Sequence, residues 1–406
     1  MPSTYFSTFL SFALLSSSFG IAQTGSGEQA LQSSDAALGS TFLSGYGNAR
    51  YQRDGSVGTS TVDLERFVLF VGHRFNRSIS LFTELEVEDA KVEGGEDGGE
   101  IALEQAYVKF DLDSHNYLVA GLFLPRLGIL NENHLPPNFN GNERTIVETL
   151  VIPSTWRELG VGFYGSLDVL QLHYSLGIMN GLSSGGFVHG SLIREGRFEG
   201  RNASANNLAL SAALELYGGP ITFQVSGYYG GTVGLSSRQA DSLRLTSGPF
   251  GTPILLGEAD VQYQSGGLTM KALGTVVSIP DAMEINRAYA SNTPELAYGA
   301  YVEIGYDVFE HVPAIHPAQM IVFARLEKLD LNARIPSNGI EDGTLDQRHL
   351  ILGLTYLPIP NIALKADIRL VHTGDQNTAL ILNPSPSAPS YQVNNALLNL
   401  GIGFSF

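Results

Sequence analysis

Residues whose types could carry chemistry are few and scattered. Gly160, Gly162 and Gly165 fall at the spacing G-x-G-x-x-G, which wraps a pyrophosphate only where a strand leads into a helix. Here the glycines lie inside a strand-like run entered from Arg157 and followed by another such run, so the helix is missing. Glu132, His134 and Glu143 are metal ligands by type, but their spacing fits no recognised site. Serine catalysis needs a histidine and an acid held beside the hydroxyl, and neither His173 nor His372 has a partner serine in view. Asn76-Arg-Ser78 and Asn202-Ala-Ser204 match the glycosylation triplet, which is irrelevant in the compartment argued below. With no cysteine, thiolate metal sites and thiol nucleophiles are excluded. The sequence therefore predicts no catalytic residue, no cofactor site and no metal site.

One segment does concentrate unusual residues. Positions 125–156 form a long connection without clear periodicity, and such loops are functional or disordered. Its composition is not that of disorder, because Leu, Ile, Val and Phe alternate with Arg126, Glu132, His134, Glu143, Arg144 and Glu148. Arg157 and Glu158 follow at its exit. Apolar and charged groups together suit a loop folded against the inside of a barrel, where it narrows the lumen; an external loop packed on its neighbours is the alternative.

The elements that would position this loop are strands. In 296–308 the even positions Leu296, Tyr298, Val302, Ile304, Tyr306 and Val308 are apolar, while Glu303 and Asp307 are odd. In 361–372, Ile362, Leu364, Ile368 and Leu370 oppose Lys365, Asp367 and Arg369. The chain ends on Ala396, Leu398, Leu400, Ile402, Phe404 and Phe406 at alternate positions. A period of two over about ten residues marks a strand with one lipid face and one wet face. Sixteen such strands are predicted: 41–53, 61–75, 79–90, 101–112, 115–124, 157–166, 169–180, 207–217, 220–230, 255–264, 267–279, 296–308, 318–329, 347–357, 360–372 and 393–406. Strand 61–75 is the least regular, because Glu65 and Arg66 put charge on both parities. Short and long connections alternate, with 309–317 the one long member of the short set. This is the up-and-down pattern of a transmembrane barrel with short periplasmic turns and long external loops. A Greek-key sandwich has no reason to alternate in this way.

Composition agrees. The 406 residues carry 23 basic and 40 acidic side chains, a net charge of −17, which argues against nucleic acid as a partner. Charged residues make up 16%, below the usual ~25%. No apolar run is long enough for a spanning helix. Residues 1–22 have a signal-peptide pattern ending in small residues. Residues 23–40 are Ser-, Gly- and Gln-rich and are expected to form a flexible periplasmic leader, and 41–406 one barrel.

The runs ELEVE (84–88), GEIALEQAYVKFDL (99–112), VAGLFLPRLGILNENHLPP (119–137) and PSTWRELGVGFYG (153–165) resemble the phosphate-selective porin O and P family. FARLEKLDLNA (323–333) and LPIPNIALKADIRL (357–370) extend the likeness. The resemblance implies a sixteen-stranded trimeric porin whose third external loop enters the pore. It also implies an arginine- and lysine-lined channel, and there the residues differ. Parity points Glu84, Glu86, Glu88, Glu215, Glu258, Asp260, Glu303, Asp307, Glu327 and Asp367 inward, against Lys109, Lys271, Arg325, Lys365 and Arg369. Selection by charge needs a ring of one sign, and an acidic surplus makes no anion funnel. The sequence reading is thus an outer-membrane porin that passes small hydrophilic solutes or ions, with cation preference weak or absent. A non-conducting barrel that anchors or adheres is the alternative.

Overall fold

The computed structural model describes residues 39–89, 99–380 and 391–406. The expected export signal, residues 1–22, and all but the last two residues of the expected leader, 23–40, lie outside these. The first four strands are β1 Thr41–Asp54, β2 Ser60–Arg74, β3 Ile79–Glu88 and β4 Ile101–Asp111. They are followed by β5 Asn116–Phe123, β6 Glu158–Leu167, β7 Leu172–Asn180 and β8 Leu208–Gly218. The second half holds β9 Ile221–Gly230, β10 Ile254–Ser265, β11 Leu268–Ser278 and β12 Leu296–Asp307. The last are β13 Gln319–Arg334, β14 Asp346–Ile359, β15 Ile362–Thr373 and β16 Asn394–Ser405. Each strand pairs with its sequence neighbour, and β1 closes on β16 in antiparallel register. The last residue takes part in the closure: Phe406 N donates to Gly45 O at 2.8 Å and Gly45 N to Phe406 O at 3.0 Å. Closure leaves no strand edge unpaired, which is the condition for strands to cross an apolar medium.

The alternation read from the sequence is the alternation of burial. In β12 the odd positions from Ala297 to Asp307 are buried and the even ones from Tyr298 to Tyr306 exposed. Ile304 is 46% exposed and its neighbour Glu303 only 4%. Leu214, Val225, Val276, Leu326, Ile368 and Leu400 face outward in the same way around the wall. Leaving such side chains in water forgoes about 1.5–3 kcal/mol each, so this outer surface is built for an apolar solvent.

Four departures from the predicted strands have local causes. Asn48 pairs with Arg66 and Ala49 with Leu64, so Glu65 is an extra residue in β2. Glu84 pairs with Gln105 and Leu85 with Leu103, so Glu104 is an extra residue in β4. Such bulges reset parity; Glu65 and Arg66 are both largely covered, and Glu104 is fully buried. β7 begins at Leu172, later than expected, because Asp168–Leu170 form a 3-10 turn closed by Gln171 at φ 48°. β13 continues to Arg334, since Leu329 and Leu331 both bury.

The long connections carry short helices, α1 Val147–Leu150, α2 Ser237–Leu243 and α3 Ala282–Tyr289. One large apolar cluster joins wall residues such as Phe70, Phe82 and Tyr107 with Leu127, Ile152 and Trp156 of segment 124–157.

Candidate functional site

Segment 124–157 links β5 to β6 and is closed at its base by Asn131. Its side-chain amide donates to Pro125 O at 2.8 Å and Trp156 O at 3.2 Å, and its Oδ1 accepts from Trp156 N at 2.7 Å. Glu148 organises the interior of the segment. Its carboxyl accepts from the backbone N–H of Ile129 and Leu130, both at 2.7 Å, and from the Tyr301 hydroxyl at 2.8 Å. Gly128, at φ +70°, makes room for this: a Cβ there would lie 2.6 Å from Glu148 Oε1. Burial pushes the Glu148 carboxyl up to about 7 against the pull of these donors.

The middle of the segment is tied to covered side chains of the wall. Lys365 donates to Phe139 O at 2.7 Å and sits 3.8 Å over the Phe139 ring. Asn140 donates to Glu303 at 3.0 Å, and its carbonyl accepts from Arg325 at 3.2 Å. Asn142 gives two bonds to Asp367, from its N–H at 2.8 Å and its amide at 2.7 Å. Glu143 pairs with Arg369 at 2.8 Å and with Arg50. Ile146 N donates to Glu327 at 2.6 Å. Arg325, 1% exposed, lies between Glu303 at 3.1 Å and Glu327 at 2.9 Å. Burial raises the Glu143 carboxyl, but Arg369 and then Arg50 outweigh it and hold it below the ordinary value. On the opposite side, Gln224 donates to Gly128 O at 3.1 Å.

The remaining sequence-selected residues are placed as follows. Arg126 binds Glu132 at 2.7 Å and approaches Glu215 at 3.6 Å. Arg144 is half-buried with no carboxylate within ion-pair distance among the described residues; burial, then Arg66, lowers its guanidinium to about 10. Arg157 meets Glu199 at 3.1 Å, and Glu158 accepts from Asn180 at 2.6 Å. Glu86 and Glu88 face Arg66 at 3.4 and 3.9 Å. Lys109 pairs with Asp111 at 3.1 Å, and Lys271 is half-buried on the covered parity of β11. Glu258 accepts from Ser226, and Asp260 accepts from Gln262 at 3.3 Å. Asp307 caps a turn, accepting from Phe309 N and Met320 N.

The trio Glu132, His134 and Glu143 is not brought together. Glu132 goes to Arg126 and Glu143 to Arg369, while His134 lies beside Glu104 and Glu84. Sequence reasoning missed Arg50, Glu65, Arg66 and Glu104, and the adjacent charges Glu65 and Arg66 were the available sign of a bulge. It also missed Arg194 and Arg197 in connection 181–207. Arg194 donates to Thr149 O at 2.9 Å and Ser154 O at 3.1 Å, and Arg197 to Pro153 O at 2.8 Å. The glycine motif lies within β6, followed by the single 3-10 turn Asp168–Leu170 and then β7 rather than by an α-helix, so it lacks the strand-to-helix setting of a dinucleotide fold.

A closed ladder of sixteen strands, with one long segment bonded to its covered face, can be compared with solved barrels. OmpF of Salmonella typhi, solved in complex with daunomycin, superimposes with a TM-score of 0.56 at 12% identity, over 91% of this chain and 98% of that one. The fold is that of a porin barrel. An anion-selective porin from Comamonas acidovorans gives a TM-score of 0.54 at 12% identity, covering 90% of this chain and 99% of the other. In sequence, an uncharacterised protein of Aquifex aeolicus (strain VF5) is 28% identical over 338 residues, 80% of this chain and 74% of its own. No family model matches the chain.

Proposed function

We propose that the protein is an outer-membrane porin, a passive channel for small hydrophilic solutes or ions, with segment 124–157 as its constriction. The observation that carries this reading is the anchorage of residues 139–146 to covered side chains of β1, β12, β13 and β15. A segment fixed on that face of a porin barrel narrows the path through it. The outward apolar residues meet outer-membrane lipid, the long connections lie outside the cell and the short ones in the periplasm. The resemblance to the phosphate-selective porin O and P family supports this architecture and a homotrimer.

It does not support phosphate as the solute. Arg126, Arg325 and Arg369 are each engaged by carboxylates, and the acidic surplus along the wall leaves the pore near neutrality or weakly cation-preferring. The large apolar cluster that joins the segment to the wall is the one feature favouring a non-conducting anchor instead. Planar-bilayer recording under a salt gradient separates these readings. The porin gives small conductance steps and a reversal potential near zero or slightly toward cations. A strongly anion-selective channel overturns the selectivity reading, and a silent barrel overturns the channel itself.

A further inference from the structure

The bulge in β4 creates a cluster that the constriction does not use. Glu84 of β3, Glu104 of β4 and His134 of segment 124–157 are all buried, and each offers a donor atom within 4.8 Å of the others. Glu104 is 0% and His134 2% exposed. His134 Nδ1 faces the Asn131 carbonyl at 3.0 Å, so this nitrogen carries the hydrogen and donates it. Nε2 is thereby aimed at Glu104 Oε1, 3.5 Å away, and neither atom has a hydrogen-bond partner. An imidazolium donating to a carboxylate would close to about 2.7–2.9 Å. Two donors at about 2.0–2.2 Å from a shared tetrahedral ion lie roughly 3.3–3.6 Å apart.

Each ligand candidate is also held from behind, as metal ligands are. Tyr46 donates to the other oxygen of Glu104 at 2.7 Å, Gln105 donates to Glu84 at 2.8 Å, and Asn131 fixes the imidazole. A cavity of about 60 Å³ lined by Glu84, Glu132, His134 and Arg126 adjoins the cluster. That is room for water as a further ligand. Arg144 and Arg66 both act on Glu104, but neither lies within ion-pair distance of it, and Arg66 is turned to Glu86 and Glu88.

The geometry points to a divalent transition-metal site formed by Glu84, Glu104 and His134, which bolts segment 124–157 to the β3–β4 wall. One imidazole and two carboxylates suit zinc, and the affinity order of first-row ions makes cobalt a usable stand-in. The site is independent of whether the barrel conducts, and its test needs no current. Metal-stripped, folded full-length protein in detergent is titrated with Co²⁺ and then with Zn²⁺. One Co²⁺ per chain is expected, with the visible absorption of a four- or five-coordinate ion that Zn²⁺ abolishes. His134→Ala and Glu104→Gln should each weaken binding at least tenfold. Tyr46→Phe keeps all three ligands and should cost about 10–100-fold through the lost bond to Glu104; it serves if the other variants do not fold. Failure of the wild type to bind either ion, or binding unchanged in every folded variant, overturns the site and leaves His134 and Glu104 as an ion pair.

Discussion

The two flanks of segment 124–157 are held by opposite physics. Residues 139–146 meet the β12–β15 wall and β1 through ion pairs and charge-assisted bonds centred on Arg325, Asp367 and Glu143. Leu127, Ile129, Val147, Ile152 and Trp156 instead join an apolar cluster with Phe70, Tyr228 and Leu256. Apolar contact is non-directional and scales with area, so it stabilises the segment without fixing its register. Charged bonds have strict geometry, and leaving one partner alone when buried is costly. The difference assigns placement to one flank and cohesion to the other.

The largest effects should come from breaking each flank at its centre. Arg325→Ala strands Glu303 and Glu327 under cover, where an uncompensated charge costs about 3–5 kcal/mol. Trp156, fully buried and 4.6 Å from the Tyr228 ring, should cost a similar ~3–5 kcal/mol on change to alanine. Denaturant unfolding of the detergent-folded barrel measures both. The comparison is sharpened by adding Glu303→Gln and Glu327→Gln, which should recover much of the Arg325 loss and none of the Trp156 loss. Recovery of both, or of neither, would mean that the flanks do not differ in kind.

A smaller effect separates two carboxyls five positions apart. Glu148, on the apolar flank, keeps its proton up to about 7 where the unfolded chain has lost it near 4.5. The folded state then binds more protons across that window, so stability falls as pH rises through it, by at most about 1.4 kcal/mol per unit. Glu143 is held below its ordinary value by Arg369 and Arg50, so its contribution is present above the usual carboxylate range and is lost as pH falls through it. Glu148→Gln should flatten the decline toward pH 7, and Glu143→Gln should remove stability at pH 7 while sparing it in acid. The same slope change from both variants would break the contrast.

Much of this architecture was legible because a barrel strand writes its two environments at alternate positions. Ile304 beside Glu303 is enough to orient β12, and the alternation of connection lengths orders the strands. The bulge at Glu104 was not legible: one inserted residue brings an even position to the face that Lys109 also shares. The helix Ser237–Leu243 was missed although Ser236 and Gln239 form a capping box that the spacing displays. The peculiarity of segment 125–156 stood out in its mixed composition, but its partners did not. Asn142 meets Asp367 across 225 positions, and no local pattern encodes a pairing that only the closed barrel creates.

The smallest expected effect falls on Arg144, which lies within 139–146 but takes no part in the ion pairs that hold that stretch. It has no carboxylate within ion-pair distance among the described residues and lies where Arg66 also acts on it. Removing it should therefore cost little stability, in contrast to Arg126, whose loss would expose Glu132 and Glu215 to each other. In the proposed channel an unpaired charge near the narrowest point outweighs several at the rim, because the field is focused there. Arg144→Ala should move the reversal potential toward cations at low salt with unfolding unchanged. The shift should fade above roughly 0.1–0.15 M salt, where screening acts within about 8–10 Å. Arg126→Ala should shift the potential in the same direction but also weaken the fold, since it unpairs acids as it removes a base. A shift from Arg144→Ala that persists at high salt would place this guanidinium in direct contact with the permeating ion. No shift at any salt would remove Arg144 from the path and leave selectivity to the wall carboxylates.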